Sequence, residues 1–215
     1  MKVGILWDLD GTLLDTLEDL ADSVNHALEQ FGYPRRSLEE IRRFVGNGAR
    51  RLIALAVPEG EDPEPVFEAF HTYYDAHCRI KTRPYDGILE ALDILGRKYP
   101  MAVVSNKPDS AVKTLCADYF PGLYARGERP DCPRKPAPDM VKQTMDALGI
   151  DTCVYVGDSE VDVQTARNAG VPCLSVLWGF RDREEIEAVG GNRFCTDPAE
   201  LPEMLEEMIR DLTAE

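Results

Sequence analysis

Residues 3–20 read VGILWDLDGTLLDTLEDL. The first six, Val3 to Asp8, form a short apolar run that ends in acid, the pattern of a buried strand. Asp8 and Asp10 then stand two residues apart beside Gly11, which permits a tight turn. From Leu14 the apolar positions Leu14, Leu17, Leu20, Val24, Leu28 and Phe31 recur at helical spacing, closed by Gly32 and Pro34. Further helical patterns follow at about 37–44, 48–57 and 63–79, with no strand among them. One strand is thus followed by some 65 all-helical residues, far more than a single crossover helix requires.

After Pro84 the pattern alternates. Helices are expected at about 87–98, 109–118, 137–148 and 159–169. Strands are expected at 101–105 (MAVVS), near Gly122–Ala125, at 153–157 (CVYVG) and at 172–176 (PCLSV). A last amphipathic helix runs through Leu201, Leu205, Ile209 and Leu212. Such alternation predicts a parallel α/β sheet covered on both faces, with the helical block inserted after the first strand. The boundaries read as a core of residues 1–14 and 84–215 and an insertion of residues 15–83. Thr16 and Pro84 lie at the two junctions, where a hinge is expected. Asp15 reads as the cap of the first inserted helix.

The chain has 215 residues, 44% hydrophobic and 29% charged, enough to bury a sizeable core. Its formal net charge of −15 argues against nucleic acid, which is bound by clustered basic surface. No apolar run approaches the length of a membrane span, and acid follows too soon after Met1 for a signal peptide, so a cytoplasmic protein without membrane attachment is expected. The six cysteines never approach a CxxC spacing and read as structural thiols. His71 and His77 are six apart and cannot form a metal-binding helical pair.

The chemistry gathers at predicted strand ends. DLDGT (8–12) aims two carboxylates at the crevice where open α/β sheets bind ligands. A calcium loop of the EF-hand type is ruled out by Leu6, where a further ligand is needed, and by the strand in place of a helix. The second strand ends in SNKP with Ser105 and Asn106; Lys135 precedes a helix; VGDSEVD places Asp158 at a strand end and Asp162 four residues later. Singly, each has an ordinary reading: Ser105 and Asp158 as helix caps, Lys135 as a solvated charge, Asp162 as an exposed acid. Together and in this order they resemble the four motifs of the haloacid dehalogenase-like hydrolases, over essentially the whole chain.

That resemblance implies a Rossmann-like core with a small α-helical cap domain at 15–83, and a Mg²⁺-dependent phosphatase acting on a small-molecule phosphate ester. Asp8 would be the nucleophile and Asp10 the general acid and base. Mg²⁺ would be held by Asp8, Asp158 and the backbone carbonyl of Asp10. Lys135 would neutralise Asp8, while Ser105 and Asn106 would bind the phosphoryl group. Dehalogenases of the family lack an acid at the position of Asp10, since halide leaves without a proton, so Asp10 argues for phosphoryl transfer. One cation and one lysine would also supply the positive site that an anionic substrate needs on so acidic a protein.

In the insertion, FVGNGARRL (44–52) breaks a helical pattern with Gly46-Asn47-Gly48. The stretch resembles its counterpart in the bacterial phosphoglycolate phosphatase subgroup, as do SNKP and VLWGF (176–180). This implies a substrate loop at Gly46, Asn47 and Gly48, with 2-phosphoglycolate the expected substrate. Glycines let backbone amides approach a ligand, and the helix N-terminus that follows favours an anion. Arg50 and Arg51 read either as a grip on the substrate or as solvated charges. A phosphosugar mutase of the same fold and a non-enzymatic phosphoacceptor module remain alternatives, and the chain is expected to be a monomer or homodimer.

Overall fold

In the computed structural model, which describes residues 1–214, a six-stranded sheet runs in the order β5-β4-β1-β6-β7-β8. Its members are β1 (Val3–Trp7), β4 (Met101–Pro108), β5 (Tyr124–Glu128), β6 (Thr152–Gly157), β7 (Cys173–Val176) and β8 (Phe194–Cys195). Every pairing is parallel. Two residues of β1 show why the sheet is covered on both faces. Ile5 and Trp7 pack with α5 (Ile88–Gly96), α6 (Asp109–Tyr119) and α10 (Leu201–Ala214), whereas Leu6, between them, packs with α7 (Asp139–Leu148) and α8 (Glu160–Ala169). β4 and β6 repeat the alternation, with Val103, Val154 and Val156 on the first side and Val104, Cys153 and Tyr155 on the second.

The insertion contains α1 (Leu17–Gln30), α2 (Leu38–Phe44), α3 (Ala49–Ala56) and α4 (Glu64–His77). Its two ends are tied together. β2 (Leu14–Asp15) pairs antiparallel with β3 (Arg83–Pro84), and the buried Asp19 carboxylate accepts from the backbone N–H groups of Ile80, Lys81 and Thr82. Among the described residues, no helix is long and apolar enough to cross a membrane. The six cysteines are free thiols, five of them buried.

The structure corrects the local reading at several points. Leu14 opens a strand, not a helix: Leu13 and Leu14 are fully buried, Leu14 pairs in register with Pro84 of β3, and its own backbone groups bond to Leu9 and Gly11 before α1 begins at Leu17. The residue preceding α1 is Thr16, with no side-chain cap bond. Asp15 makes only a long contact to Leu17 N, 3.4 Å, and lies 3.6 Å from Arg83. The strand expected at Gly122–Ala125 is displaced to Tyr124–Glu128, because Gly122 turns the chain with φ +88°. β4 continues through Pro108 rather than ending at Ser105. α9 (Arg183–Ala188) and β8 are too short for their periodicity to register in the sequence.

Candidate active site

β1, β4 and β6 are neighbours at the centre of the sheet, so the residues at their C-terminal ends converge. Asp8, Asp158 and Asp162 each offer a carboxylate oxygen, and the three atoms lie within 4.8 Å of one another, all buried. Lys135 reaches them from the loop before α7. Its Nζ lies 2.9 Å from Asp8 Oδ1 and 2.9 Å from Asp162 Oδ1, and it donates to Tyr155 Oη at 3.0 Å. Tyr155 passes the chain on to the carbonyl of Val104. The contact with Asp8 is an ion pair whose angles fall outside those of a hydrogen bond, so Asp8 Oδ1 has no hydrogen-bond donor.

Asp162 is fully engaged, accepting on its other oxygen from the N–H and hydroxyl of Ser159. Asp158 accepts from Phe180 N at 2.7 Å and, more weakly, from Thr12 Oγ1 at 3.4 Å. Space around it is enforced by glycine. A Cβ on Gly11 would lie 2.2 Å from Asp158 Oδ2, and Gly11 also has φ +80°; one on Gly179 would lie 2.4 Å from Asp158 Cβ.

Asp10 sits apart from the three-acid cluster but lines the same pocket. Lys107 Nζ lies 2.9 and 3.1 Å from its two oxygens, and Thr16 Oγ1 donates to it at 2.8 Å. The Asp10 carboxylate is therefore paired outside the cluster, whose third acid is Asp162. Ser105 accepts from the N–H of Lys107. Asn106 donates to the carbonyls of Gly46 and Lys135 and accepts from Lys135 N, so it joins the core to the insertion. Gly46 and Gly48 line the same pocket as Asp8 and Asp10, whereas Asn47 does not line it. Arg50 is paired with Glu64 and stacked over Phe67, and its guanidinium is thereby committed within the insertion.

Burial pushes the Asp8 carboxyl up to about 7; Lys135 pulls against this, and Asp162 and Asp10 add to the rise. Asp158 is held well above the carboxylate range by burial, reinforced by Asp162 and Asp8. For Lys135, burial favours the neutral amine, but the negative charges of Asp162 and Asp8 outweigh it and hold the group charged. With all four acids ionised, four carboxylates would face two ammonium groups and two negative charges would be uncompensated, which is the charge that burial disfavours on Asp8 and Asp158. Hard oxygen donors with a deficit of two charges fit one divalent cation such as Mg²⁺. Asp8 and Asp158 would hold it, since both oxygens of Asp162 are taken.

Lys107 and Arg181 were not singled out in the sequence. Lys107 lies in SNKP, where only its neighbours carried a motif; Arg181 follows VLWGF with no local signal at all.

The chain matches the family model of the haloacid dehalogenase-like hydrolases over residues 5–176. The phosphoglycolate phosphatase of Rhodobacter capsulatus is 35% identical over 96% of this chain and 98% of its own. That of Agrobacterium fabrum is 36% identical over 85% of this chain and 83% of its own. A solved structure from Lactobacillus delbrueckii subsp. bulgaricus, 37% identical, superposes with a TM-score of 0.88 and covers 94% of this chain and 97% of that one.

Proposed function

This chain belongs to the haloacid dehalogenase-like hydrolases, and from that premise we propose that it is a Mg²⁺-dependent phosphatase of small phosphomonoesters, with 2-phosphoglycolate the preferred substrate and an aspartyl-phosphate on Asp8 as intermediate. The observation that carries the reading is the charge arrangement: a buried nucleophilic carboxylate, Asp8, beside a fixed ammonium and a second buried acid, Asp158, with which it could hold a cation. The curated relatives, phosphoglycolate phosphatases of about the same length, support the choice of substrate.

Bound at the acids, Mg²⁺ would supply positive charge that favours ionised Asp8 and offsets charge on the phosphoryl oxygens. Asp8 then attacks phosphorus; the Asp8 oxygen–phosphorus bond forms as the bond to the leaving oxygen breaks. Asp10, a carboxylate paired with Lys107 in the free protein, must enter this step protonated; it then gives that proton to the leaving oxygen, releasing the alcohol. In the second half, Asp10 takes a proton from water, the water oxygen bonds to phosphorus, and the acyl-phosphate bond opens to free Asp8 and inorganic phosphate. Lys135 steadies Asp8 in line, and Ser105 with nearby N–H groups holds the phosphoryl oxygens. Residues 15–83 act as a cap over the core of 1–14 and 84–215, excluding water from the intermediate. Uncatalysed hydrolysis of such esters is so slow that acceleration can approach ~10²¹-fold, which suits division into two steps.

The test is inorganic phosphate release from a panel of small phosphate esters, with and without Mg²⁺. Turnover that needs the cation and is fastest on 2-phosphoglycolate is expected. Absence of release from every ester, or release indifferent to chelation, would refute the reading.

A further inference from the structure

Arg181 comes from the core loop after β7, yet three of its four side-chain hydrogen bonds cross to the insertion. The side chain is 7% exposed. Its Nε donates to Glu160 Oε2 at 3.0 Å, which balances the buried charge. Nη1 donates to the carbonyl of Arg42 at 3.0 Å, and Nη2 to those of Arg43 at 3.3 Å and Val45 at 2.6 Å. Arg42 and Arg43 are in the last turn of α2, where carbonyls lack intrahelical partners and carry the negative end of the helix dipole. Only the planar fork of a guanidinium can serve so many acceptors at once.

The contact is reciprocal. Arg42, from the insertion, reaches back to Asp182 at 3.3 Å and to the carbonyl of Gly179 at 3.4 Å. The carbonyls gathered by Arg181 belong to the residues that lead into Gly46 and Gly48, which line the pocket. On the other side, Phe180, the residue before Arg181, donates its N–H to Asp158. Two consecutive residues therefore hold the acid cluster and the insertion loop at a set spacing.

We infer that Arg181 is a positioning residue for substrate binding: it fixes the Gly46–Gly48 loop against the acid cluster, with Arg42 as the reciprocal half. The inference rests on the phosphatase reading for its kinetic consequence but not for its structural one. A residue that places a binding loop without touching the reacting atoms acts on substrate affinity, so its loss raises KM more than it lowers kcat.

Three variants of the full chain test it by steady-state kinetics on the best ester and by hydrogen exchange of the peptide covering residues 42–48. Arg181→Met should raise KM about tenfold with kcat changed less than about threefold, and exchange at 45–48 should quicken. Arg181→Lys, which keeps the charge beside Glu160 but not the fork, should restore part of the affinity. Should Arg181→Met fail to fold, Arg42→Ala, a partly exposed side chain, should show the same KM-weighted defect at about threefold. Wild-type KM in the folded variants, or a loss confined to kcat, would overturn the inference. If the wild type hydrolyses no ester, the phosphatase reading fails separately, and unchanged exchange at 45–48 would then overturn the placement of the loop by Arg181.

Discussion

Lys107 Nζ stands 2.9 Å from one carboxylate oxygen of Asp10 and 3.1 Å from the other, although 97 residues separate them in the chain. The lysine also lies over the ring of Tyr74 in α4, 4.7 Å from its centroid. The acid assigned to proton transfer is thus held by a core lysine that itself packs on the insertion. Lys107→Met should leave Asp10 a partly buried charge without its ammonium partner, costing about 3 kcal/mol of stability at most and lowering kcat about 10²-fold. Urea unfolding and steady-state kinetics read the two effects; a wild-type kcat would show that Asp10 needs no such partner.

Asp8→Asn should abolish turnover, by about 10⁴-fold or more, while the fold persists. The substitution removes a charge that burial already disfavours, so the cation-free variant should melt no lower than the wild type. Residual activity within tenfold of wild type would remove Asp8 from the nucleophile's role.

The pH dependence of cation binding has a determined sign. In the cation-free protein Asp8 is raised to about 7 and Asp158 is raised as well, so between about pH 4 and pH 7 the folded state holds protons that the unfolded chain releases. Stability from these groups is therefore greatest at low pH and is lost as pH rises through their folded values. Mg²⁺ binds the ionised carboxylates and should recover that loss, raising Tm more at about pH 8 than at about pH 5. Melting curves at the two pH values decide it, and equal shifts would count against the clustered acids as the site.

Lys135→Met should be among the most damaging single changes. It strips Asp8, Asp162 and Tyr155 of a shared partner in a site where the lysine is 1% exposed. A loss of about 3–5 kcal/mol is expected, partly restored by Mg²⁺. Chemical denaturation with and without the cation measures both, and a stability within 1 kcal/mol of wild type, with roughly that margin taken as the error of such measurements, would contradict the arrangement.

Gly179→Ala tests the space around Asp158. The added methyl would meet Asp158 Cβ and Oδ2 and the carbonyl of Gly11, each at 2.4 Å. Backbone on one side and a buried acid on the other leave little room to yield, so about 1–3 kcal/mol of stability should be lost. The thermal shift produced by Mg²⁺ should shrink with it. An undiminished shift would mean that Asp158 keeps its place without the glycine.

Alternation of apolar strands and amphipathic helices was enough to read a doubly covered parallel sheet, because each strand of such a sheet is apolar on both faces, as Ile5 and Leu6 show. The acids were legible for a related reason: Asp8 and Asp158 directly follow strands that lie side by side, so their positions at strand ends already implied a common crevice. The short β2–β3 ribbon was not legible, since two residues per strand carry no period.

What the sequence determined alone was the order of elements and which acids and lysine would be near one another, through local periodicity and strand-end placement. Only the tertiary structure decided that Lys107 pairs with Asp10, that Asp162 is consumed by Lys135 and Ser159, and that Arg181 reaches the end of α2. Those pairings are set by how the insertion packs on the core. A buried charge takes whichever partner that packing brings within about 3 Å, and sequence separation says nothing of it.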